Sequence, residues 1–291
     1  MAEGSAVRVG FVGLGNIGMP MAKRLTAAGL PTTVYDVVGE RVDALVAAGA
    51  RAATSPRTLA AARDAIGVCV RDDADVRAVV LADDGLLAGA APGSVIAIHS
   101  TVPPATMREV GAAAAARGVG VVDACVTGGP AGAAQGALTV MAGGDPAHLE
   151  RARPLFDAFA RKVVACGPLG SGCKTKLCNN LMTYLAWTAA FEATLLARAA
   201  GLSQEVLEEV TRSNGNMTDP MLAFLALHKA PEEARRSDGF QAAMRGYVEV
   251  AEKDLAATLA LARECGVALP GAAMASQIMA RVYGLEDGGR R

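Results

Sequence analysis

"VRVGFVGLGNIGMPMA", residues 7–22, is the stretch on which the reading of the fold turns. It opens as a short apolar, β-branched run (7–13) of the kind that forms a strand buried on both faces, and it passes directly into a helical stretch near 16–29. Gly13, Gly15 and Gly18 fall at the junction in G-x-G-x-x-G spacing. Glycines there allow a tight turn and a close backbone approach to a pyrophosphate, which the N-terminus of the following helix attracts. In a chain with 33 glycines the pattern alone is weak. Its context makes it specific: Asp36 ends the next strand (32–36), 18 residues beyond Gly18, where a carboxylate can bond the adenine-ribose hydroxyls. That charge repels a 2′-phosphate, and "YDVV" (35–38) has no adjacent arginine, so NAD is expected over NADP. Arg41, on the next helix, is placed to soften the preference.

Outward from this unit the same alternation continues. Strands are expected at 66–70, 94–99, 119–124, 137–144 and 162–167, with helices near 40–48, 75–82, 105–117 and 147–160. Alternating strands and helices imply a parallel sheet covered on both faces, an α/β Rossmann dinucleotide-binding domain. After Cys166 the strand signal disappears. A long apolar helix is expected over 172–200, stopped by Gly201, and further helices near 203–214, 218–228, 240–265 and 270–283. The expected organisation is a nucleotide-binding domain over 1–166 and an all-α substrate and dimerisation domain over 167–291, joined by the long helix. The tail "EDGGRR" is expected to fray.

Composition excludes several classes. The 291 residues are 52% hydrophobic with a formal net charge of −1, which supports a large core and gives no footprint for nucleic acid or an anionic membrane. The stretch 177–196 is apolar enough to suggest a membrane span, but Asn179, Asn180 and Glu192 within it are costly in lipid. "MAEGSAVRVG" lacks the features of a signal peptide. Six scattered cysteines without a CxxC pair argue against a metal site or a disulfide framework and for reduced thiols in a cytoplasmic protein.

Five motifs recur in a telling order: "GLGNIGMPMA" (13–22), "HSTVPP" (99–104), "DACVTGG" (123–129), "GPLGSGCKTKLCNN" (167–180) and "KDLAATL" (253–259). Together they resemble the β-hydroxyacid dehydrogenase family, which includes the 3-hydroxyisobutyrate dehydrogenases and tartronate semialdehyde reductases and, more distantly, 6-phosphogluconate dehydrogenase. The resemblance implies an NAD-dependent oxidoreductase interconverting a small β-hydroxy acid and its semialdehyde. It places Lys176 on the catalytic lysine and Asn180 on its partner. It gives Thr127, Gly128 and Gly129 to the substrate carboxylate, and the cofactor to Gly13, Leu14, Gly15, Asn16, Ile17, Gly18, Asp36, Val70, Arg71, Thr101 and Lys253. The long linking helix is too apolar to stand alone, so a homodimer or tetramer packed through the helical domain is expected, and composition and cysteine spacing lead us to expect no metal and no nucleic-acid or membrane partner.

The chemistry asks for such groups. Reduction of an aldehyde develops alkoxide on oxygen, which needs a nearby proton donor, and an ammonium supplies charge and proton together. Lys176 and Asn180 are four residues apart and share a helical face, whereas Lys174 lies about 200° round the helix and is expected to be solvated. Asn179 is expected to make a structural hydrogen bond. Small residues in a turn, as at 127–129, form a nest of N–H groups for an anion. Of the histidines, His99 is expected to be a hydrogen-bonded strand-end residue, and His148 and His228 to lie at the surface. Asp254 and Glu192 are expected to bond within or between helices.

The chain departs from the family pattern at Ile17 (usually Met), Cys125 (usually Pro), Thr127 (usually Ser) and Gly246 (often aromatic, with Tyr247 adjacent), and throughout 214–240. An imine reductase shares the fold but usually lacks the lysine. A phosphogluconate dehydrogenase has a larger helical domain and a cationic phosphate clamp. A non-catalytic nucleotide-binding scaffold needs neither Lys176 nor the turn at Thr127.

Overall fold

The computed structural model describes residues 7–286. The expectations for a signal segment and for a frayed tail bear on residues 1–6 and 287–291, outside the described residues. The chain divides into two compact units, residues 1–176 and 177–291.

The first unit is one eight-stranded sheet. In chain order its elements are β1 (Val9–Val12), α1 (Gly18–Ala27), β2 (Thr32–Tyr35), α2 (Gly39–Val46), β3 (Arg51–Ala52), α3 (Pro56–Ala60), β4 (Ala65–Val68), α4 (Asp73–Leu81) and α5 (Leu86–Gly89). There follow β5 (Val95–Ile98), α6 (Pro104–Ala115), β6 (Gly120–Thr127), α7 (Gly129–Gln135), β7 (Leu138–Gly143), α8 (Pro146–Phe159) and β8 (Ala160–Gly167). The spatial order β3-β2-β1-β4-β5-β6 is that of a dinucleotide-binding sheet, extended by β7 and β8. β1 to β6 pair in parallel, but β7 runs antiparallel to β6, so the sheet is not wholly parallel as expected. The reason is local: α7 reverses the chain at the end of β6 and brings it straight back, a return too short for a parallel crossover. β3, α3, α5 and α7 are absent from the sequence reading because each spans two to seven residues, too few to establish a period.

Strand alternation divides the core. Val9, Phe11, Ala65, Val95 and Ala97 face α1, α7 and α8, while Val12, Ile66, Val68, Ile96 and Ile98 face α3 to α6. All are 0–2% exposed, so both faces of the central strands β1, β4 and β5 are closed to water. His99 belongs to this core. It is 3% exposed, stacked 5.9 Å from Phe11 and edge-on to Phe156 and Phe159. Its Nδ1–H donates to Ala124 O at 2.8 Å, as expected of a strand-end histidine.

The second unit is helical. The long helix α9 (Ser171–Ala199) links it to the first and ends as expected at Gly201, with φ +75°. α10 (Gln204–Ser213), α11 (Asp219–Ala226), α12 (Glu232–Arg235), α13 (Asp238–Glu264) and α14 (Pro270–Val282) complete it. Its core gathers Tyr184, Phe191, Phe224, Met244, Leu255 and Met279. Two surface readings need correction. His228 is half-buried, because Nε2 bonds Val282 O at 2.8 Å and its ring packs on Phe191 and Phe224. His148, the other histidine expected at the surface, is half-buried as well, while Glu192, expected to bond within or between helices, is exposed. Among the described residues no helix is long and apolar enough to cross a membrane.

Burial lowers the His99 pKa to about 4 against the opposing bond to Ala124 O, so the ring is neutral in the fold. As pH falls below about 6.5 the unfolded chain protonates first. Stability contributed by His99 is therefore complete above that pH and lost on descending toward 4, by about 3 kcal/mol in all. Urea midpoints measured across this window should fall more steeply for the wild type than for His99→Gln.

Candidate active site

The cradle after β1 is built by exclusion of side chains. Gly13 has φ +91° and donates its N–H to Tyr35 O at 3.0 Å, and a Cβ on it would run into Cys69 O. A Cβ on Gly18 would strike Gly13 O, so the first turn of α1 can close on the loop only with glycine there. Gly15 has open space around the position a Cβ would take, which leaves its backbone free for a ligand to approach. Asp36, with a side chain 6% exposed, follows β2. Its Oδ2 accepts from Leu14 N–H at 2.6 Å and its Oδ1 from Val38 N–H at 2.8 Å, tying the glycine loop to the end of β2. Arg41 Nη1 stands 3.6 Å from Oδ1. A carboxylate has about four lone-pair sites, so two backbone bonds leave capacity for ribose hydroxyls. The residues present fit an adenine dinucleotide.

The other residues assigned to the cofactor or substrate in this unit lie along the same edge, the carboxyl ends of the parallel strands. Val70 and Arg71 follow β4, Thr101 follows β5, and Thr127 is the last residue of β6. Ser100 joins two of these loops: its Oγ accepts from Val70 N–H and donates to Val70 O, both at 2.8 Å. Asn16 is exposed and Ile17 and Thr127 half-buried. Gly128 (φ +123°) and Gly129 (φ +64°) turn the chain out of β6 into α7 and leave both residues exposed.

The start of α9 is held from β6. Asp123, fully buried, accepts from Gly170 N–H on Oδ1 at 2.7 Å and from Cys173 N–H on Oδ2 at 2.6 Å. These are N–H groups that a helix terminus leaves without an intrahelical partner, and a carboxylate also complements the helix dipole. Burial pushes the Asp123 pKa up, and the two backbone bonds oppose it. Gly172 makes the approach possible, since a Cβ there would meet Met141 O and, at 3.0 Å, Asp123 O. Two residues on from Asp123 along the same strand face, the Cys125 thiol lies 3.6 Å from Cys173 Sγ. All six cysteines are free. Lys176 follows one turn after Cys173 and is half-buried, while Lys174 is exposed as its phase requires.

In the helical unit a single buried carboxylate collects the polar residues. Asp254, 2% exposed, accepts from Asn180 Nδ2 at 2.7 Å and Tyr184 OH at 3.1 Å on Oδ2, and from Lys253 Nζ at 2.8 Å on Oδ1. Asn179 Nδ2 donates to Asn180 Oδ1 at 3.2 Å, the structural bond expected of it. Burial first, and the Asp254 charge second, push the Tyr184 hydroxyl up, so it stays a donor. Asp254 makes the bonds between helices expected of it, whereas Asp123, Ser100 and Tyr184 were not singled out from the sequence. A lone carboxylate in an apolar strand was the available signal for Asp123. Gly246 is exposed, and Tyr247 stacks 6.0 Å from Tyr283. Among the described residues no cluster of metal-ligating side chains occurs.

Two family models account for almost all of the chain: the NAD-binding domain of 6-phosphogluconate dehydrogenase matches residues 8–167, and the NAD-binding model of NADP-dependent 3-hydroxyisobutyrate dehydrogenase matches 170–290. The chain belongs to the β-hydroxyacid dehydrogenase family. An NAD-dependent L-serine dehydrogenase from Pseudomonas aeruginosa is 44% identical over 211 residues, 72% of this chain and 71% of that one. The crystal structure of a 3-hydroxyisobutyrate dehydrogenase from Salmonella typhimurium superposes with a TM-score of 0.80 at 32% identity, covering 94% of this chain and 93% of the other. A Streptomyces aurantiacus imine reductase (TM-score 0.65, 20% identity, 94% and 93% covered) shares the fold alone. As a β-hydroxyacid dehydrogenase the chain carries an NAD(P)-binding domain followed by a helical one.

Asparagine at 123 would turn an N–H donor toward one of the two backbone N–H groups. Asp123→Asn should therefore cost about 2 kcal/mol in chemical denaturation, the worth of one hydrogen bond to a charged group.

Proposed function

We propose that this dehydrogenase interconverts a small β-hydroxy acid and its semialdehyde, preferring NAD, with Lys176 as the general acid and base. The observation that carries the reading is the clamp by Asp123, which holds Lys176 half-buried one turn inside α9, from the same strand that ends in the Thr127 turn. A bound nicotinamide supplies the hydride acceptor or donor. The Gly13–Gly18 loop and Asp36 hold its dinucleotide, aided by Val70, Arg71, Thr101 and Lys253. Thr127, Gly128 and Gly129 hold the substrate carboxylate with a hydroxyl and backbone N–H groups. In reduction the Lys176 ammonium gives its proton to the carbonyl oxygen, and in oxidation the neutral amine takes the hydroxyl proton. Asn180, fixed by Asp254, orients the hydroxyl. The name of the L-serine dehydrogenase relative and the hydroxyl at Thr127 make L-serine and 3-hydroxyisobutyrate the first substrates to test.

The preference for NAD rests on Asp36, whose carboxylate is fixed by two N–H groups and only loosely approached by Arg41. The chain works as a homo-oligomer through its helical unit. In support, Met182, Leu196, Leu202, Val206 and Val210 are 53–74% exposed on α9, α10 and the turn between them. A single-chain mass in sedimentation would remove that part.

Kinetics with a panel of three- and four-carbon hydroxy acids test the chemistry. Lys176→Ala should lower kcat by about 10²–10⁴-fold, the usual contribution of a positioned acid or base. Turnover that survives this change would sink the assignment. In the same assay Asp36→Ala should shift kcat/KM toward NADP, and an unchanged ratio would refute the role of Asp36.

A further inference from the structure

A second concave site lies wholly within the helical unit, eighteen residues beyond Lys176 along α9. It is a cavity of about 180 Å³ with an apolar floor of Phe191 and Leu225 and a polar wall of Thr194, Arg198, His228, Arg235 and Arg281. Three guanidinium groups converge there, and no carboxylate lines the cavity. Among the described residues neither Arg235 nor Arg281 has an ion pair, and Arg198 is engaged only by the neutral Gln204 side chain. Two polar atoms are buried with no partner: Nε of Arg235, and Oγ1 of Thr194, a residue 2% exposed. Such groups are costly unless something occupies their hydrogen bonds. The cavity senses this charge. The His228 pKa is lowered by burial first, against the bond to Val282 O, and then by Arg235 and Arg198.

Like charges gathered round a half-enclosed space repel one another, and an anion between them relieves the repulsion. A planar fork of N–H donors matches the oxygens of a phosphate or carboxylate, and a threonine hydroxyl adds one more bond. The volume is below the roughly 300–1,000 Å³ of pockets for drug-sized ligands. It suits a small ion rather than a nucleotide.

We propose that this pocket of the helical unit is a binding site for a small phosphate-class oxyanion, held by Arg198, Arg235 and Arg281 with the Thr194 hydroxyl. The anion is either free phosphate or the phosphate group of a small phosphorylated acid. The site is independent of the chemistry assigned to Lys176, and its test does not depend on turnover.

The chain has three histidines, so His228 is a built-in reporter. The full-length protein, labelled in its histidine rings, is titrated with inorganic phosphate, with 3-phosphoglycerate, and with chloride at matched ionic strength. The His228 signal is identified by its loss in His228→Gln. Phosphate should shift that resonance saturably in the millimolar range and leave His99 and His148 in place. Arg235→Met and the more conservative, surface-exposed Arg281→Met should each raise the half-saturation concentration about tenfold, as expected for one charge-assisted bond. Tighter saturation by 3-phosphoglycerate would identify a phosphorylated acid as the ligand, and equal saturation would identify the free ion. An equal response to chloride would overturn the proposal. So would the absence of any saturable shift, as when a carboxylate of a second copy already fills the cavity, or half-saturation unmoved in both arginine variants.

Discussion

The carboxylate of Asp123 lies in the sheet core with no water to solvate it, and the first turn of α9 has N–H groups with no partners of their own. Each supplies what the other lacks. Burial alone would make the aspartate expensive, and an uncapped helix start at that depth would be expensive as well. Joined, they fix the beginning of a 29-residue helix to the central sheet. The placement of Lys176, one turn after Cys173, follows from this anchor. Gly172 is the steric condition for the anchor, because its missing Cβ admits the β6 backbone.

The same economy appears at two other buried acids, one in each unit. Asp36 is held by Leu14 and Val38 N–H groups, and Asp254 by Asn180, Tyr184 and Lys253. Three carboxylates, each at least half withdrawn from water, organise the glycine loop after β1, the start of the linking helix, and the polar cluster of the helical unit. In each case the acid serves as a collector of donors, so that the groups assigned to substrate and cofactor are supported from beneath. The Arg198–Arg235–Arg281 cavity is the opposite arrangement: donors are gathered there without an acid to receive them.

Much of this was legible in the chain. The G-x-G-x-x-G turn, the carboxylate at the end of the second strand and the change from β-branched runs to long helical periods were local signals, each contained in a few residues. The phase of Lys174 against Lys176 was legible too, because helical geometry fixes it without reference to the rest of the molecule. Short elements such as β3 and α5 were not, since two to four residues carry no period and the neighbouring strands and helices hold them in place. His228 was misplaced at the surface because nothing in "ALHKA" shows that Val282, 54 residues later, offers it a carbonyl.

The sequence by itself determined the type of fold, the order of the two domains and the chemical class of the site, because these rest on periodicity and on residue types at short spacing. Only the tertiary structure decided which buried acid anchors which donor. Asp123 meets Cys173 across 50 residues and Asp254 meets Asn180 across 74. A hydrogen bond closed over such a loop depends on where the strands and helices come to rest, and no local pattern records it.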